Sequence, residues 1–417
     1  KGKKMTWDVD YLRDNRDENM GFLSKTLLPD GTEIPGTNFD YNYLQHRKVD
    51  VVSSALDFIL PFEKYKITAG AKVSFTNTRN GINYDTSDPT LVQDDYFRYK
   101  EQIYALYADY SREYSERFSM QLGLRMEHTR TTGISEAKDT EDKHDYTRLF
   151  PTVYLLYSPT DGHALNFSFS NRISRPSQNM VNPFPFYQNK YTYACGREDL
   201  KPSYTYNAEL GYTLKNNFNV SAYYSYSDDV FFQVVDLDAE TNVTSFLWEN
   251  FMQTHAFGLN NSYTFRTKWL QAYAQHGVSY RRTTSSAVTT SPEEKGWAYN
   301  ASLRNTFFFN EKKTLLATLS GSYSSRQYQG IYLMSPTYSV SAGMLYRLLD
   351  NKLNLSLNVN NLFVSHSKLE TMSNGLKIIA DNQFAFASFR IGVSYTFGGD
   401  IRSKGQRNSN EDIQRRL

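Results

Sequence analysis

The feature that most constrains this chain is a two-residue alternation sustained over stretches of about ten residues. In LNLSLNVNN (353–361), Leu353, Leu355, Leu357 and Val359 fall on one face, and Asn354, Ser356, Asn358 and Asn360 on the other. Successive side chains of a β-strand point to opposite sides, so this pattern makes a strand with one dry and one wet face. The same pattern recurs in SMQLGLRME (119–127), ALNFSFS (164–170), LLATLSGSY (315–323) and SFRIGVSYTF (388–397). No comparable 3.6-residue periodicity marks a long helix, so the chain reads as all-β.

The connections alternate in length. Short turns fall at Glu63–Lys64, Tyr114–Glu116, Pro159–Gly162, Asn216–Asn217, Glu311–Lys313 and Asp350–Asn351. Between them lie longer polar segments, expected as loops, at 77–95, 130–145, 173–203, 283–296 and 364–382. Long loop, strand, short turn, strand is the pattern of a transmembrane antiparallel β-barrel of the outer membrane. The count is about sixteen strands, most of them longer than the usual strands of a soluble sandwich. The dry faces then touch the lipid bilayer and the wet faces a hydrated lumen. Trp7, Trp248, Trp269 and Trp297 lie near strand ends, where an interfacial aromatic girdle would stand.

Composition supports this. Of 417 residues, 33 are Tyr and 27 are Phe, while no apolar run reaches the roughly 18 residues of a membrane helix. A formal net charge of +2 gives no case for nucleic acid. The single cysteine, Cys195, excludes an internal disulfide and a cysteine zinc cage. No catalytic motif, metal site or cofactor motif is recognisable. EDKHD (141–145) reads as a solvated loop tip around His144. DLDAET (236–241) lacks the glycine and distal Glu of a calcium loop.

Residues 171–212 carry NRISRPSQNMVNPFPFYQNKYTYACGREDLKPSYTYNAELGY. The block resembles the signature of the outer-membrane β-barrel family common in Bacteroidetes, whose members look like TonB-dependent receptors. Arg172, Ile173, Arg175 and Pro176 match R-I-x-R-P. Asn182, Pro183 and Phe184 match the following L-N-P-F, with Val181 in place of Leu. Gly196, Leu200, Lys201 and Pro202 match G-N-P-x-L-K-P, with Arg197–Glu198 in place of Asn-Pro. Further matches lie in FRYKEQIYALYADYS, QLGLRMEHT, RLFPTVYLLYS, VNNLF and SYTFGG.

The resemblance implies a barrel of about 22 strands around a plug, of which residues 1–397 supply about sixteen. Residues 398–417 are expected as a polar periplasmic tail, with Phe397 similar to the terminal aromatic of such barrels. The implied function is ligand capture and import across the outer membrane. Implied partners are the TonB energy-coupling protein, a surface lipoprotein or other outer-membrane subunits. A non-transporting scaffold and a complete sixteen-stranded pore remain alternatives. Candidate ligand contacts are Arg172, Arg175, Phe184, Phe186, Tyr187, Tyr191 and Tyr193. The two arginines could meet anions or pair with acids across the wall.

Overall fold

A computed structural model describes residues 2–86, 94–363, 366–383, 387–397 and 411–416. Its strands are β1 (Lys4–Ser24), β2 (Phe39–Pro61), β3 (Tyr65–Thr86), β4 (Asp95–Ser115), β5 (Phe118–Ser135), β6 (Thr140–Tyr157) and β7 (His163–Ser174). A four-residue helix α1 (Gln178–Val181) and the hairpin β8 (Pro185–Asn189) and β9 (Thr192–Cys195) follow. Next come β10 (Ser203–Leu214), β11 (Phe218–Asp238), β12 (Val243–Arg266), β13 (Leu270–Ser285), β14 (Glu293–Phe308) and β15 (Leu315–Ser324). The last third adds β16 (Gln327–Gln329), β17 (Tyr332–Met334), β18 (Thr337–Leu348), β19 (Leu353–Asn360), β20 (His366–Ser373), β21 (Leu376–Gln383), β22 (Ser388–Tyr395) and α2 (Glu411–Gln414).

The main sheet has 18 strands, and setting aside the β8–β9 hairpin leaves sixteen in one antiparallel meander from β1 to β22. Tight turns close one end. Lys215 and Asn216 take left-handed φ values of 49° and 56°, which lets β10 reverse into β11 within three residues. At the other end β1–β5, β11 and β12 run to between 18 and 24 residues. A tilted strand crosses the hydrocarbon in about 9–11 residues, so these strands continue well past the bilayer.

That length corrects several loop expectations. Segment 77–95 is strand through Thr86, and 130–145 holds the end of β5 and the start of β6. Segment 283–296 is a β13–β14 hairpin end, and 364–382 contains β20 and β21. Residues 87–93 and 364–365 lie outside the described residues. EDKHD is therefore strand, with Asp145 opposite Arg130 and His144 opposite Thr131. Polar side chains read as loop because water faces both sides of a sheet above the membrane. Backbone pairing, not burial, keeps it ordered there.

Register sorts the two faces. Ala317, Met344, Leu357 and Ile391 lie directly across from one another on β15, β18, β19 and β22, forming an apolar row on the outer surface. Leu106, Leu124, Leu149, Leu210, Leu259 and Leu303 are exposed on that same outer surface. A wall this apolar outside and this polar within is the reverse of a soluble core, and it suits lipid. Trp297 lies outside, edge-on to Phe257 and tilted against Tyr280. Trp248 departs from the girdle expectation: it packs against a buried cluster at the mouth, with Phe231 and Phe232 beside it.

Each edge strand pairs on one side only among the described residues: β1 with β2, and β22 with β19. Phe389, Ile391 and Val393 on β22 are 70–81% exposed, against 44% for Leu357 one strand in.

The final residues are not free of the barrel. Residues 398–410 lie outside the described set, but Ile413 is buried against Val49 and Val51 of β2, with Leu12 of β1 packed beside them. Arg416 forms a two-pronged ion pair with Glu101 of β4 at 3.0 and 2.8 Å. The expectation of a tail wholly outside the barrel fails for 411–416, because one apolar side chain and one guanidinium find partners on the wet face.

Candidate functional site

The segment between β7 and β10 builds the mouth of the lumen. Ser177 starts α1, and the Asn182 side chain accepts the Phe184 N–H at 3.3 Å, turning the chain inward. The return limb crosses close to the outgoing one. The Arg197 N–H donates to the Met180 carbonyl at 2.8 Å, and the Cys195 thiol donates to the Pro183 carbonyl at 3.1 Å. A Cβ on Gly196 would stand 2.2 Å from the Asn182 carbonyl oxygen and 2.6 Å from that of Met180. Glycine is required there because two backbones touch. Burial pushes the Cys195 thiol above its ordinary range, in keeping with a packed group.

Strand β9 then pairs in parallel with β12, Thr192–Cys195 against Thr244–Leu247. The two residues that depart from the family pattern act as fasteners. Arg197 bridges Asp199 at 2.6 Å and Glu249 at 3.1 Å, and Glu198 accepts the Thr140 hydroxyl at 3.1 Å. Asn250 grips the Lys201 backbone, its side-chain carbonyl accepting the Lys201 N–H at 2.8 Å and its NH2 donating to the Lys201 carbonyl at 2.9 Å.

So held, the loop inserts Val181 and Phe184 into inward-facing Phe39, Tyr41, Tyr43, Ile82, Tyr84 and Phe97. The Tyr41 and Tyr84 hydroxyls both donate to the Pro185 carbonyl at 3.3 Å. Buried tyrosines need such partners, and the Pro185 carbonyl at the start of β8 supplies one.

Between this hairpin and β1, β2 and β12 lies a cavity of about 380 Å³. Its lining includes Phe186, Tyr187, Gln188, Tyr43 and Trp248, with Glu18 and Gln45 as polar groups. Size and lining fall within the range of small-ligand sites, roughly 300–1,000 Å³ with few polar groups among aromatics.

Beneath the loop the wet face is ionic. Arg175 pairs with Glu127 at 2.5 Å and also reaches the Thr129 hydroxyl at 3.3 Å; both ion-pair partners are about one-tenth exposed. Arg125 pairs with the other Glu127 oxygen and lies over the Tyr107 ring. A second cavity of about 490 Å³ opens here, lined by Arg125, Glu127, Thr152, Asn171 and Arg172 among others.

The seven sequence-picked residues therefore divide. Phe186 and Tyr187 line the upper cavity, and Tyr193 packs its ring 5.3 Å from Tyr187. Tyr191 is half exposed at the hairpin tip. Arg172 lines the lower cavity, whereas Arg175 and Phe184 are buried and hold the loop down. Sequence reasoning missed Trp248, Glu18 and Glu127. In the sequence Trp248 is an aromatic near a strand end, which points to an interfacial girdle, and the two glutamates carry no signal beyond their inward register. DLDAET ends β11 and enters its turn, where Asp238 accepts the Glu240 N–H at 2.8 Å and the Thr241 N–H at 3.3 Å. The Thr241 hydroxyl and these N–H groups hold the Asp238 carboxyl below its ordinary range, so the aspartate is engaged in its own turn.

Comparison with known proteins agrees with this architecture. The ferric citrate transporter FecA in its unliganded form superposes with a TM-score of 0.58 at 13% identity, covering 93% of this chain and 62% of that one. The ferric yersiniabactin uptake receptor FyuA from Yersinia pestis gives 0.57 at 14% identity, covering 93% and 58%. The ferripyoverdine receptor of the Pseudomonas aeruginosa outer membrane gives 0.58 at 15% identity, covering 88% and 51%. The chain thus spans about half to three-fifths of the length of these receptors, and the likeness is one of fold. No curated protein sequence matches the chain. A family model matches residues 1–395, nearly the whole wall from β1 to the end of β22, and by that match the chain belongs to the outer membrane protein beta-barrel family.

Proposed function

We propose that the chain is the wall and mouth of a TonB-dependent-receptor-like importer that captures a ligand at the cell surface. The observation that carries this reading is the aromatic cavity held between the inserted loop and the wall, bounded by Tyr187 and Trp248 and placed above an ionic lumen. A loop that merely sealed a pore would pack without a cavity of ligand size. The unpaired edges of β1 and β22 support a further part of the reading. Additional strands, about six for a 22-stranded barrel, would close the seam, and a plug would fill an otherwise wide aqueous hole. Energised import then needs contact with the TonB protein, and capture could be shared with a surface lipoprotein. Aromatic rings with a few polar groups suit sugars, peptides and metal chelates alike.

The test compares host cells carrying the wild-type protein with cells carrying Tyr187→Ala/Trp248→Ala, matched for folded barrel in the outer membrane. Medium composition is followed by mass spectrometry. At least one solute should disappear about tenfold more slowly from the variant culture, and likewise from cells lacking TonB. Identical depletion in all three cultures would remove the importer reading and leave that of a non-transporting scaffold.

A further inference from the structure

Away from the aromatic cluster at the mouth, the inward face of β2 turns apolar a second time. Its neighbours present acids, amides and hydroxyls to the lumen, yet Val49 and Val51 stand side by side there, with Leu12 of β1 directly opposite Val51. A contiguous apolar patch on a wet face marks a place where another apolar group docks, and covering it is favourable. What covers this patch is Ile413 of the chain's own C-terminal segment, 2% exposed. Three residues on, Arg416 places both terminal nitrogens on the two carboxylate oxygens of Glu101, itself nearly fully buried. The Arg416 carbonyl also accepts the Gln178 N–H of α1 at 3.3 Å, which links the segment to the mouth loop. A bidentate guanidinium–carboxylate pair is both strong and geometrically selective.

We propose that this apolar patch and Glu101 form a lumenal binding site for a peptide with an aliphatic residue followed, three positions later, by an arginine. The C-terminal segment is its built-in occupant, and a ligand peptide of the same pattern competes with it. Eighteen residue steps separate Tyr395, at the end of β22, from Ile413, and a chain of that length reaches up to about 60 Å. That contour length sets the reach within which the segment stays tethered to β22 when a peptide displaces it. The site deepens the importer reading by naming a ligand class, and it rests on the lumen being a ligand path.

The experiment uses a fluorescent synthetic peptide of residues 408–417, with the detergent-folded chain either intact or ending at residue 410. Heat-modifiable gel mobility should show both to be folded, since the sixteen-strand ladder of the wall does not include the segment. The peptide should bind the shortened chain at least tenfold more tightly than the intact one. Glu101→Gln in the shortened chain should weaken binding at least tenfold, as should Arg416→Ala placed in the peptide alone. The peptide-side change leaves the barrel untouched, so it remains decisive even if Glu101→Gln folds poorly. Equal binding to both chains, or indifference to the peptide arginine, would overturn the proposal. Failure of peptide binding alongside slowed solute uptake in Tyr187→Ala/Trp248→Ala cells would overturn it while leaving the importer reading in place.

Discussion

Glu127→Gln should release the mouth loop while leaving the barrel folded. Glu127 is the shared partner of Arg175, which anchors the start of the loop, and of Arg125 on its own strand. Removing one member of a buried ion pair leaves uncompensated charge in a poorly hydrated site, at a cost of about 3–5 kcal/mol. Here two guanidinium groups would face each other, with Arg416 and Glu101 close by. The sixteen-strand ladder does not depend on this pair, so heat-modifiable mobility should persist. Limited proteolysis should instead gain cleavage sites within residues 175–202. Adding Arg175→Gln removes the more buried of the two orphaned cations and should recover much of the loss, a coupling that the double-mutant cycle measures directly. Unchanged loop protection in the single variant would show that the aromatic cluster alone holds the mouth.

Leu357→Arg should impair membrane folding far more than Ser356→Arg. Leu357 sits in the outer apolar row between Met344 and Ile391, and arginine near the bilayer midplane costs roughly 2–4 kcal/mol. Ser356 lies one residue away on the opposite face, where a guanidinium can reach water. Folding yield in lipid vesicles, read by gel mobility, should fall sharply for the first and little for the second. Equal losses would mean that β19 does not separate lipid from lumen.

The period-two pattern made the fold readable because each membrane strand must satisfy two solvents at once. LNLSLNVNN predicted β19, and SFRIGVSYTF predicted β22, to within two residues. The outer strand extensions were not readable. EDKHD has no dry face to alternate with, and only pairing with β5 makes it strand. At the mouth, the block around Phe184 and Gly196 was conspicuous, but its inward fold was not. That depends on Tyr41 and Tyr84, more than a hundred residues earlier, offering hydroxyls to Pro185. Trp248 shows the same limit: an aromatic near a strand end suits a lipid interface and a lumen mouth equally, and only register decides. The tail was read by its charge, which concealed that Ile413 and Arg416 match an apolar patch and a carboxylate inside.

The central claim is a wall with lipid on one side and a hydrated, loop-capped lumen on the other. It is tested most directly by placing single cysteines at each position from Asn354 to Val359, in a Cys195→Ser background, and labelling each with an environment-sensitive fluorophore in vesicles. Lipid-borne quenchers should act strongly at 355, 357 and 359, and aqueous quenchers at 354, 356 and 358, alternating residue by residue. Uniform quenching along the strand, or an alternation insensitive to lipid-borne quencher, would contradict a membrane-spanning barrel.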